Sequence, residues 1–410
     1  MDNVKLYICS LPFPDYIIKG EPNTKRKKKM YTLIENAHIV SPDLDIANGS
    51  LLIKDDTIVN VTPGTINAPS GSKKIDAAGM LTVPGFIDLH CHGRNNFDFC
   101  DGNAAGTALI AENKLAEGVT TLLPTTLTVS EEQLSSALAA CAAYDQKSGC
   151  RIPGVHLEGP YINPKCAGAQ NPAFVRLPDA AEVDRLNAVF PVKKITFAVE
   201  MAGGTAFTAA MLERRITPSC THSGAKYSDF VSAHQAGLRN LSHFCNQMTP
   251  LHHRDIGLVG AGLLHRDVFA ELICDKLHID PAMIKLVFQT KGAEHVILIT
   301  DAMRAAGMPN GEYDLGGLPV IVADGAARLK EGGALAGSTL QLATAFKNVV
   351  EVTGLPLKEA VKATSLSAAS SLKLSDRGRL EPGYLADITI LDDTFSVRKT
   401  LVGGELRFEK

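Results

Sequence analysis

The sequence lacks the features that would assign it to several specialised classes of protein. No apolar run approaches the roughly 20 residues that a bilayer span requires, and no secretory hydrophobic segment is visible. The net charge is only -3, so the overall charge balance gives no reason to expect binding to nucleic acid or to a membrane surface. The nine cysteines show no paired spacing, which argues against a disulfide framework or a C-x-x-C zinc module. We therefore expect a cytoplasmic protein whose cysteines are mostly reduced and buried.

The first 29 residues differ from the rest of the chain. They contain Pro12, Pro14 and Pro22, show no clear periodicity and end in a basic run from Lys25 to Lys29. We expect residues 1–29 to form a disordered, solvated basic extension. A nucleic-acid or targeting patch is a second interpretation of the basic run, and a biological start at Met30 also stays open.

The pattern of short apolar runs predicts a barrel flanked by a small β domain. Runs of β type occupy residues 30–83, where they are typical of antiparallel sheet, and they return in residues 376–410, so we expect both chain ends to form one small β-sandwich domain. In residues 84–375 helix-like stretches alternate with short strands. With the strand that leads into His90 there are eight, which predicts an α/β fold with a (β/α)8 TIM-like barrel. The remaining seven strands are predicted at Thr120 to Pro124, Gly154 to Leu157, Ile195 to Val199, Ile216 to Ser219, Leu238 to Ser242, Phe269 to Ile273 and Val296 to Ile299.

Local signals also mark the starts of helices. The segment from Ser130 to Gln133 has the residues of a capping box, and Asp280 followed by Pro281 is typical of an N-cap before the first helical position. Two long helices, at about Thr339 to Val352 and Leu357 to Leu372, are expected after the last barrel strand.

Two histidines stand one residue apart at the end of the first predicted barrel strand. Residues i and i+2 of a strand point to the same face, so the imidazoles of His90 and His92 can converge on one point. An isolated His-x-His pair is more often two histidines with local hydrogen bonds than a metal site. The pair therefore needs further ligands elsewhere in the chain.

Other polar residues follow later predicted strands, at the rim where a parallel barrel carries its chemistry. Each has an ordinary explanation by itself, as a solvated carboxylate, a hydrogen-bonded imidazole or a helix cap. Together they indicate a metal site, because His, Glu and Asp ligands suit zinc or iron with one position left for water. These residues are Glu158, His222, His243, His278 and Asp301, and the pattern allows but does not require His156.

With these residues assembled, the chain resembles the amidohydrolase superfamily, and within it the deacetylases of N-acetylated hexosamine 6-phosphates. The resemblance runs from about Tyr31 to the C-terminus. Its most specific motifs are PGFIDLHCHG (84–93), HLEGPYINPKCAGAQNP (156–172), THSGA (221–225), SHFCNQMTPLHHRDIGLVGAGL (242–263), ITDAM (299–303) and LAGS (335–338).

The resemblance implies a role for each site residue. Glu158, His222 and His243 are the expected main metal ligands, His90 and His92 leave room for a second metal with Glu158 as a bridge, and Asp301 is the catalytic carboxylate. Gln170 stands where some relatives carry a histidine that polarises the amide carbonyl. The remaining implied residues hold the sugar phosphate (Asn246, Gln247, His278 and Arg254, the last across a homodimer interface) or line the sugar pocket (Ala169, Leu335, Ala336 and Gly337).

The activity implied by the resemblance is a metal-dependent removal of the acetyl group from N-acetylglucosamine 6-phosphate, which yields glucosamine 6-phosphate and acetate. A divalent metal, zinc or iron, would activate a water molecule, and Asp301 would accept its proton and pass it to the leaving amine. The same reaction on the galacto epimer stays open. So do two further interpretations, a catalytically silent scaffold and an amidohydrolase that acts on cyclic amides, although many of the latter use a carboxylated lysine where Glu158 stands here.

Overall fold

The first described segment forms five strands of one sheet. The structure is a computed structural model that describes residues 30–410, so the expectation for residues 1–29 lies outside the described residues. The strands are β1 (Tyr31–Ser41), β2 (Leu44–Lys54), β3 (Thr57–Pro63), β4 (Lys73–Asp76) and β5 (Leu81–Pro84). β2 pairs antiparallel with β1 and β3, and both turns are two residues long with an aspartate at positive φ, Asp43 or Asp55. β4 and β5 run parallel to β1, so the expectation of a purely antiparallel segment was wrong beyond β3.

Eight parallel strands then form the barrel. They are β6 (Phe86–Cys91), which the short hairpin of β7 (Gly93–Arg94) and β8 (Phe97–Asp98) follows, and β9 (Val119–Thr126), β10 (Val155–Glu158), β11 (Val192–Phe197), β12 (Thr217–Cys220), β13 (Asn240–Leu241), β14 (Phe269–Leu272) and β15 (Val296–Leu298). Each barrel strand pairs with its neighbour in chain order. The ring is completed beyond β15, where the Asp301 amide donates to the His90 carbonyl at 2.8 Å and the His92 amide donates to the Ala302 carbonyl at 2.8 Å. This closure brings the ends of the first and last strands together.

Helices cover the outside of the barrel. They are α1 (Ala104–Lys114), α2 (Glu131–Ala142), α3 (Ala180–Val189), α4 (Gly204–Glu213), α5 (Tyr227–Gln235), α6 (Gly257–Leu264) and α7 (Pro281–Lys291). The two start signals are confirmed, since the Ser130 and Gln133 side chains form a capping box and the Asp280 side chain caps α7. None of the helices within residues 30–410 is long and apolar enough to cross a membrane.

A three-stranded antiparallel sheet that was not predicted from the sequence follows the last barrel strand. It consists of β16 (Gly311–Leu315), β17 (Leu318–Ala323) and β18 (Ala326–Leu329). Its turns are Gly316-Gly317 and Asp324-Gly325, with positive φ at all four residues. Gly-Gly and Asp-Gly between β-type runs are strong hairpin signals, and they should have predicted these strands.

The second of the two long helices expected near the C-terminus is interrupted. α8 (Leu342–Thr353) is continuous, but the next segment divides into α9 (Leu357–Ala360), a 3-10 turn and α10 (Leu366–Ser371). The break lies at Ser365, whose φ and ψ angles are -148° and -59°. The Thr364 hydroxyl donates to the Val361 carbonyl at 2.8 Å, and such side-chain bonds compete with the bonds that propagate a helix.

The chain end returns to the first sheet through β19 (Ile388–Leu391), β20 (Val397–Val402) and β21 (Glu405–Glu409). β19 pairs antiparallel with β5, which joins the two ends of the described chain in one eight-stranded mixed sheet. This sheet has its own apolar core, which combines residues such as Ile34 and Leu51 with Ile388 and Leu401. The predicted fold class, a TIM-like barrel with a small β domain built from both ends, is confirmed. Boundaries for the two units at residues 84 and 376 are our proposal.

Candidate metal centre and active site

Five side chains expected to bind metal meet at the carboxyl ends of the barrel strands. His90 lies in β6, Glu158 ends β10, and His92, His222 and His243 follow β6, β12 and β13 directly or within two residues. All five side chains are buried. They form two groups of three, His90 with His92 and Glu158, and His222 with His243 and Glu158, within each of which the ligand atoms lie within 4.8 Å of one another.

Glu158 lies at the centre of both groups. Its Oε1 is 3.2 Å from His90 Nε2 and 3.0 Å from His243 Nε2, whereas its Oε2 is 3.3 Å from His92 Nε2. His222 Nε2 is 3.6 Å from Oε1. A carboxylate that faces imidazoles of both groups has the position of a bridging ligand.

The hydrogen-bond partners of the imidazole Nδ1 atoms support a role of these histidines as metal ligands through Nε2. His222 Nδ1 is 2.9 Å from the Cys166 carbonyl, His92 Nδ1 is 3.2 Å from the Thr125 carbonyl, and His243 Nδ1 is 3.3 Å from the Thr221 hydroxyl. A carbonyl acceptor at Nδ1 holds the proton there and leaves the Nε2 lone pair free. The donor set therefore fits a divalent metal in each group.

Asp301 stands beside both histidines of the first pair. Its Oδ1 is 3.1 Å from His92 Nε2 and 3.5 Å from His90 Nε2. Burial alone would raise the pKa of the Asp301 carboxyl, but His90 and then His92 outweigh that effect and the pKa lies below its usual value. Burial alone would likewise lower the pKa of His90, and the charges of Glu158 and Asp301 outweigh it, raising that pKa to about 9. In the metal-free protein the contact between these groups therefore favours a protonated His90 and an ionised Asp301.

The backbone at the site is locally strained. His222, His243 and Asp301 have φ angles of 47°, 30° and 50°, in the left-handed region that residues other than glycine seldom adopt. Such residues cluster where the surrounding structure holds functional side chains in place. Here each of them lies just beyond a barrel strand and turns its side chain toward the same point.

Gln170 contacts the cluster directly. Its Nε2 donates to Glu158 Oε2, and its Oε1 accepts from the Thr128 amide at 2.7 Å. These two bonds fix the orientation of the amide group. One N–H of Gln170 is thus committed to Glu158, and only the other is free for a substrate.

A cavity of about 330 Å3 opens over the cluster. Most of the residues expected at the site line it, namely His92, Glu158, Ala169, Gln170, His222, His243, Asn246, Gln247, His278, Asp301, Leu335 and Gly337. His278 is anchored there by a 2.7 Å contact between its Nδ1 and Asp275 Oδ2.

Three residues expected at the site do not line the cavity. His90 is fully buried beneath it, and Ala336 is buried with its amide bonded to the Ala327 carbonyl at 3.0 Å. Arg254 is exposed on the loop before α6, where its nearest polar partner is His253. The single chain thus does not bring Arg254 to its own cavity.

One charged residue of the cavity was not predicted from the sequence. Arg328, on β18, is the only lysine or arginine among the described residues that line it, and its guanidinium donates to the Gly333 carbonyl at 3.1 Å. It was missed because its sheet was not predicted. The remaining new lining residues are Leu127, Ile273, Leu315 and Ala334.

His156 belongs to the barrel interior rather than to the metal cluster. Its Nδ1 is 3.3 Å from the Thr125 hydroxyl and its Nε2 is 2.7 Å from the Thr196 hydroxyl. Burial, followed by the charge of Lys194, holds its pKa well below the usual value. Both ring nitrogens are occupied by hydroxyls, so it is not arranged as a ligand.

The barrel, the cluster of histidines and carboxylates, and the cavity above it together define a barrel enzyme with a candidate metal centre. Comparison with known proteins is consistent with that class: a model of the amidohydrolase family matches residues 81–407. The chain belongs to the amidohydrolase family.

Individual relatives refine this placement. An N-acetylglucosamine-6-phosphate deacetylase from Lysinibacillus sphaericus is 37% identical over 343 residues, which cover 83% of this chain and 88% of that protein. An N-acetylgalactosamine-6-phosphate deacetylase from Escherichia coli O157:H7 is 36% identical over 359 residues, 86% of this chain and 95% of that protein. Among solved structures, a mutant N-acetyl-D-glucosamine-6-phosphate deacetylase from Mycobacterium smegmatis, in complex with N-acetyl-D-glucosamine-6-phosphate, has a TM-score of 0.85 at 30% identity and covers 93% of this chain and 100% of that one.

Proposed function

We propose that this chain is an N-acetylglucosamine-6-phosphate deacetylase of amino-sugar catabolism. It hydrolyses the acetamido bond and releases glucosamine 6-phosphate and acetate. The observation that carries the proposal is the placement of Glu158 between two histidine pairs, with Asp301 beside them at the floor of the cavity. The relatives named for this activity support the choice of substrate.

The two groups that share Glu158 would hold the metal. His222 and His243 with Glu158 form the main position, and His90 and His92 with Glu158 form a second. Zinc or iron suits these ligands. When bound, the metal polarises the amide carbonyl and lowers the pKa of a water molecule.

Asp301 carries the proton between the two halves of the reaction. Its Oδ1 lies beside His90 and His92 at the cluster, so the ionised carboxylate is placed to accept a proton from the attacking water. As the C–N bond breaks, Asp301 returns that proton to the amine, which cannot leave as an anion. The free N–H of Gln170 points to a supporting role at the acetamido oxygen.

The phosphate needs cationic and hydrogen-bonding partners. Within one chain, Asn246, Gln247, His278 and Arg328 line the cavity and supply such groups. Arg254 is exposed and has no carboxylate partner in residues 30–410, so we assign it to the cavity of a second protomer in a homodimer. Ala169 and the loop from Leu335 to Gly337 form the wall for the sugar ring.

A cytoplasmic location is part of the proposal. The substrate is a phosphorylated metabolite, and the eight cysteines of residues 30–410 are free thiols, which suits a reducing compartment.

The galacto epimer is the second candidate substrate. The E. coli relative named for N-acetylgalactosamine 6-phosphate is almost as similar as the one named for the gluco substrate. Acetate release should therefore be measured in parallel on both epimers, with unphosphorylated N-acetylglucosamine as the control. We expect the gluco 6-phosphate to have the highest kcat/KM. A higher kcat/KM for the galacto epimer would reassign the substrate, and no acetate from either would reject the activity.

A further inference from the structure

A charged pair crosses the barrel interior next to His90, and the proposed reaction makes no use of it. Lys194 on β11 donates to Glu271 Oε1 on β14, and the two side chains are 1% and 0% exposed. Burying two charges costs several kcal/mol per ion before their attraction repays it, and apolar replacements of such pairs are often at least as stable. Stability alone is thus a weak reason for a lysine and a glutamate here.

The second carboxylate oxygen of Glu271 faces His90. Glu271 Oε2 lies 3.5 Å from His90 Nδ1, on the side of the imidazole ring opposite Glu158. Each of these two atoms is buried and has no hydrogen-bond partner of its own. Since a buried polar atom left unpaired is costly, a small shift that joins them would satisfy both at once.

His90 differs in this respect from the other imidazoles of the cluster. His92 and His222 have backbone carbonyls at Nδ1, and His243 has a hydroxyl. His90 alone has a carboxylate there. A carboxylate behind a ligating histidine fixes its tautomer and its ring orientation, and raises its basicity.

We propose that Glu271, held in place by Lys194, is the positioning residue for the second metal position. Glu271 Oε2 accepts a hydrogen bond from the Nδ1–H of His90, so the Nε2 lone pair of His90 faces Glu158 and would be free to bind a metal. Lys194 binds the other oxygen and offsets the charge of Glu271. This inference rests on the proposed role of His90 as a metal ligand.

Two variants separate positioning from stability. In Glu271→Gln, the new side chain has a single acceptor oxygen, which should face Lys194. The NH2 group of the same side chain then faces His90. His90 must accept at Nδ1 and keep its proton on Nε2, where it blocks the metal. In the double variant Glu271→Met/Lys194→Met, both charges and the acceptor are absent, and side chains of similar length keep the barrel interior filled and apolar.

The measurement is the metal-to-protein ratio of the full chain purified with saturating zinc, together with its Tm. We expect a ratio near two in the wild type and near one in both variants, with the double variant as thermostable as the wild type within a few degrees. The matched control is Glu182→Gln, which removes the charge of Glu182, in the first turn of α3, from its pair with the half-buried Arg176 and should keep a ratio near two. If Glu271→Gln does not fold, the double variant alone decides.

A double variant that is stable and still holds two metals would overturn the inference, and so would a wild-type ratio of one. A loss of metal in the Glu182→Gln control equal to that in the Glu271 variants would also overturn it, because any damaged ion pair would then have the same effect. The metal ratios do not depend on the substrate. Absence of acetate release therefore counts against the proposed function and leaves this inference standing if the ratios are as expected.

Discussion

Replacing Asp301 with asparagine tests the proton-transfer role with little disturbance of the fold. The backbone of Asp301 has a φ angle of 50°, which asparagine tolerates better than most residues. Its amide donates to the His90 carbonyl and its carbonyl accepts from the Ser338 amide at 2.7 Å, so the main chain is held from both sides. The variant side chain should therefore occupy the same position without the ability to accept a proton.

The expected size of the effect follows from the role. General acid–base catalysis contributes typically a hundredfold to ten-thousandfold to the rate, so kcat should fall by about that factor. This corresponds to a loss of about 3 to 5 kcal/mol of transition-state stabilisation. KM should change little, because Asp301 acts on the reacting atoms and not on the phosphate. The metal at Glu158, His222 and His243 should remain, because Asp301 is not assigned as its ligand.

The assay is acetate release at saturating substrate, with the metal content of the same preparation measured alongside. Asp301→Glu is the companion variant, since it keeps a carboxylate but moves it by one methylene, and some activity should return. A kcat for Asp301→Asn within tenfold of the wild type, with metal bound, would refute the assignment of Asp301. Loss of the main metal in the variant would instead show that Asp301 is a ligand.

Three further predictions concern metal and phosphate. The His90→Asn/His92→Asn variant should lower the metal-to-protein ratio from near two to near one, and a ratio that stays at two would reject the second position. Arg328→Met should raise KM about tenfold or more with kcat within threefold, because a guanidinium binds phosphate equally in ground and transition states, and an unchanged KM would remove Arg328 from the phosphate site. Since Glu158 and Asp301 outweigh burial and raise the pKa of His90 to about 9 in the metal-free protein, binding at that position must displace a proton at lower pH. Because Asp301 and Glu158 also outweigh burial and hold the pKa of His92 well above its usual value, the apparent affinity, measured by competition with a chelator, should fall at least tenfold per pH unit from 9 to 7, and a flat profile would contradict this.

Much of the barrel could be predicted because its signals are local. Most barrel strands contain a short apolar run, and polar residues such as Glu158 or Asp301 follow at or just beyond the carboxyl end of the run. The parallel arrangement then requires that all these ends share one rim. The differences have local causes too: Gly-Gly and Asp-Gly turns precede β17 and β18, and the backbone angles of Ser365 break a helix that the sequence pattern predicts as continuous.

The sequence by itself therefore determined the type of fold, the family resemblance and the set of residues that gather at the strand ends, because spacing along a strand fixes which side chains share a face. Only the tertiary structure decided which atoms meet. It placed Glu158 between both histidine pairs and brought Arg328 into the cavity from an unpredicted sheet. It also set Glu271 behind His90 across the barrel, a contact between residues 181 positions apart that no local pattern records. Such contacts depend on how the strands close into a ring. The physical reason is that a buried polar group must pair with whatever lies near it in the folded structure, however far away that partner is along the chain.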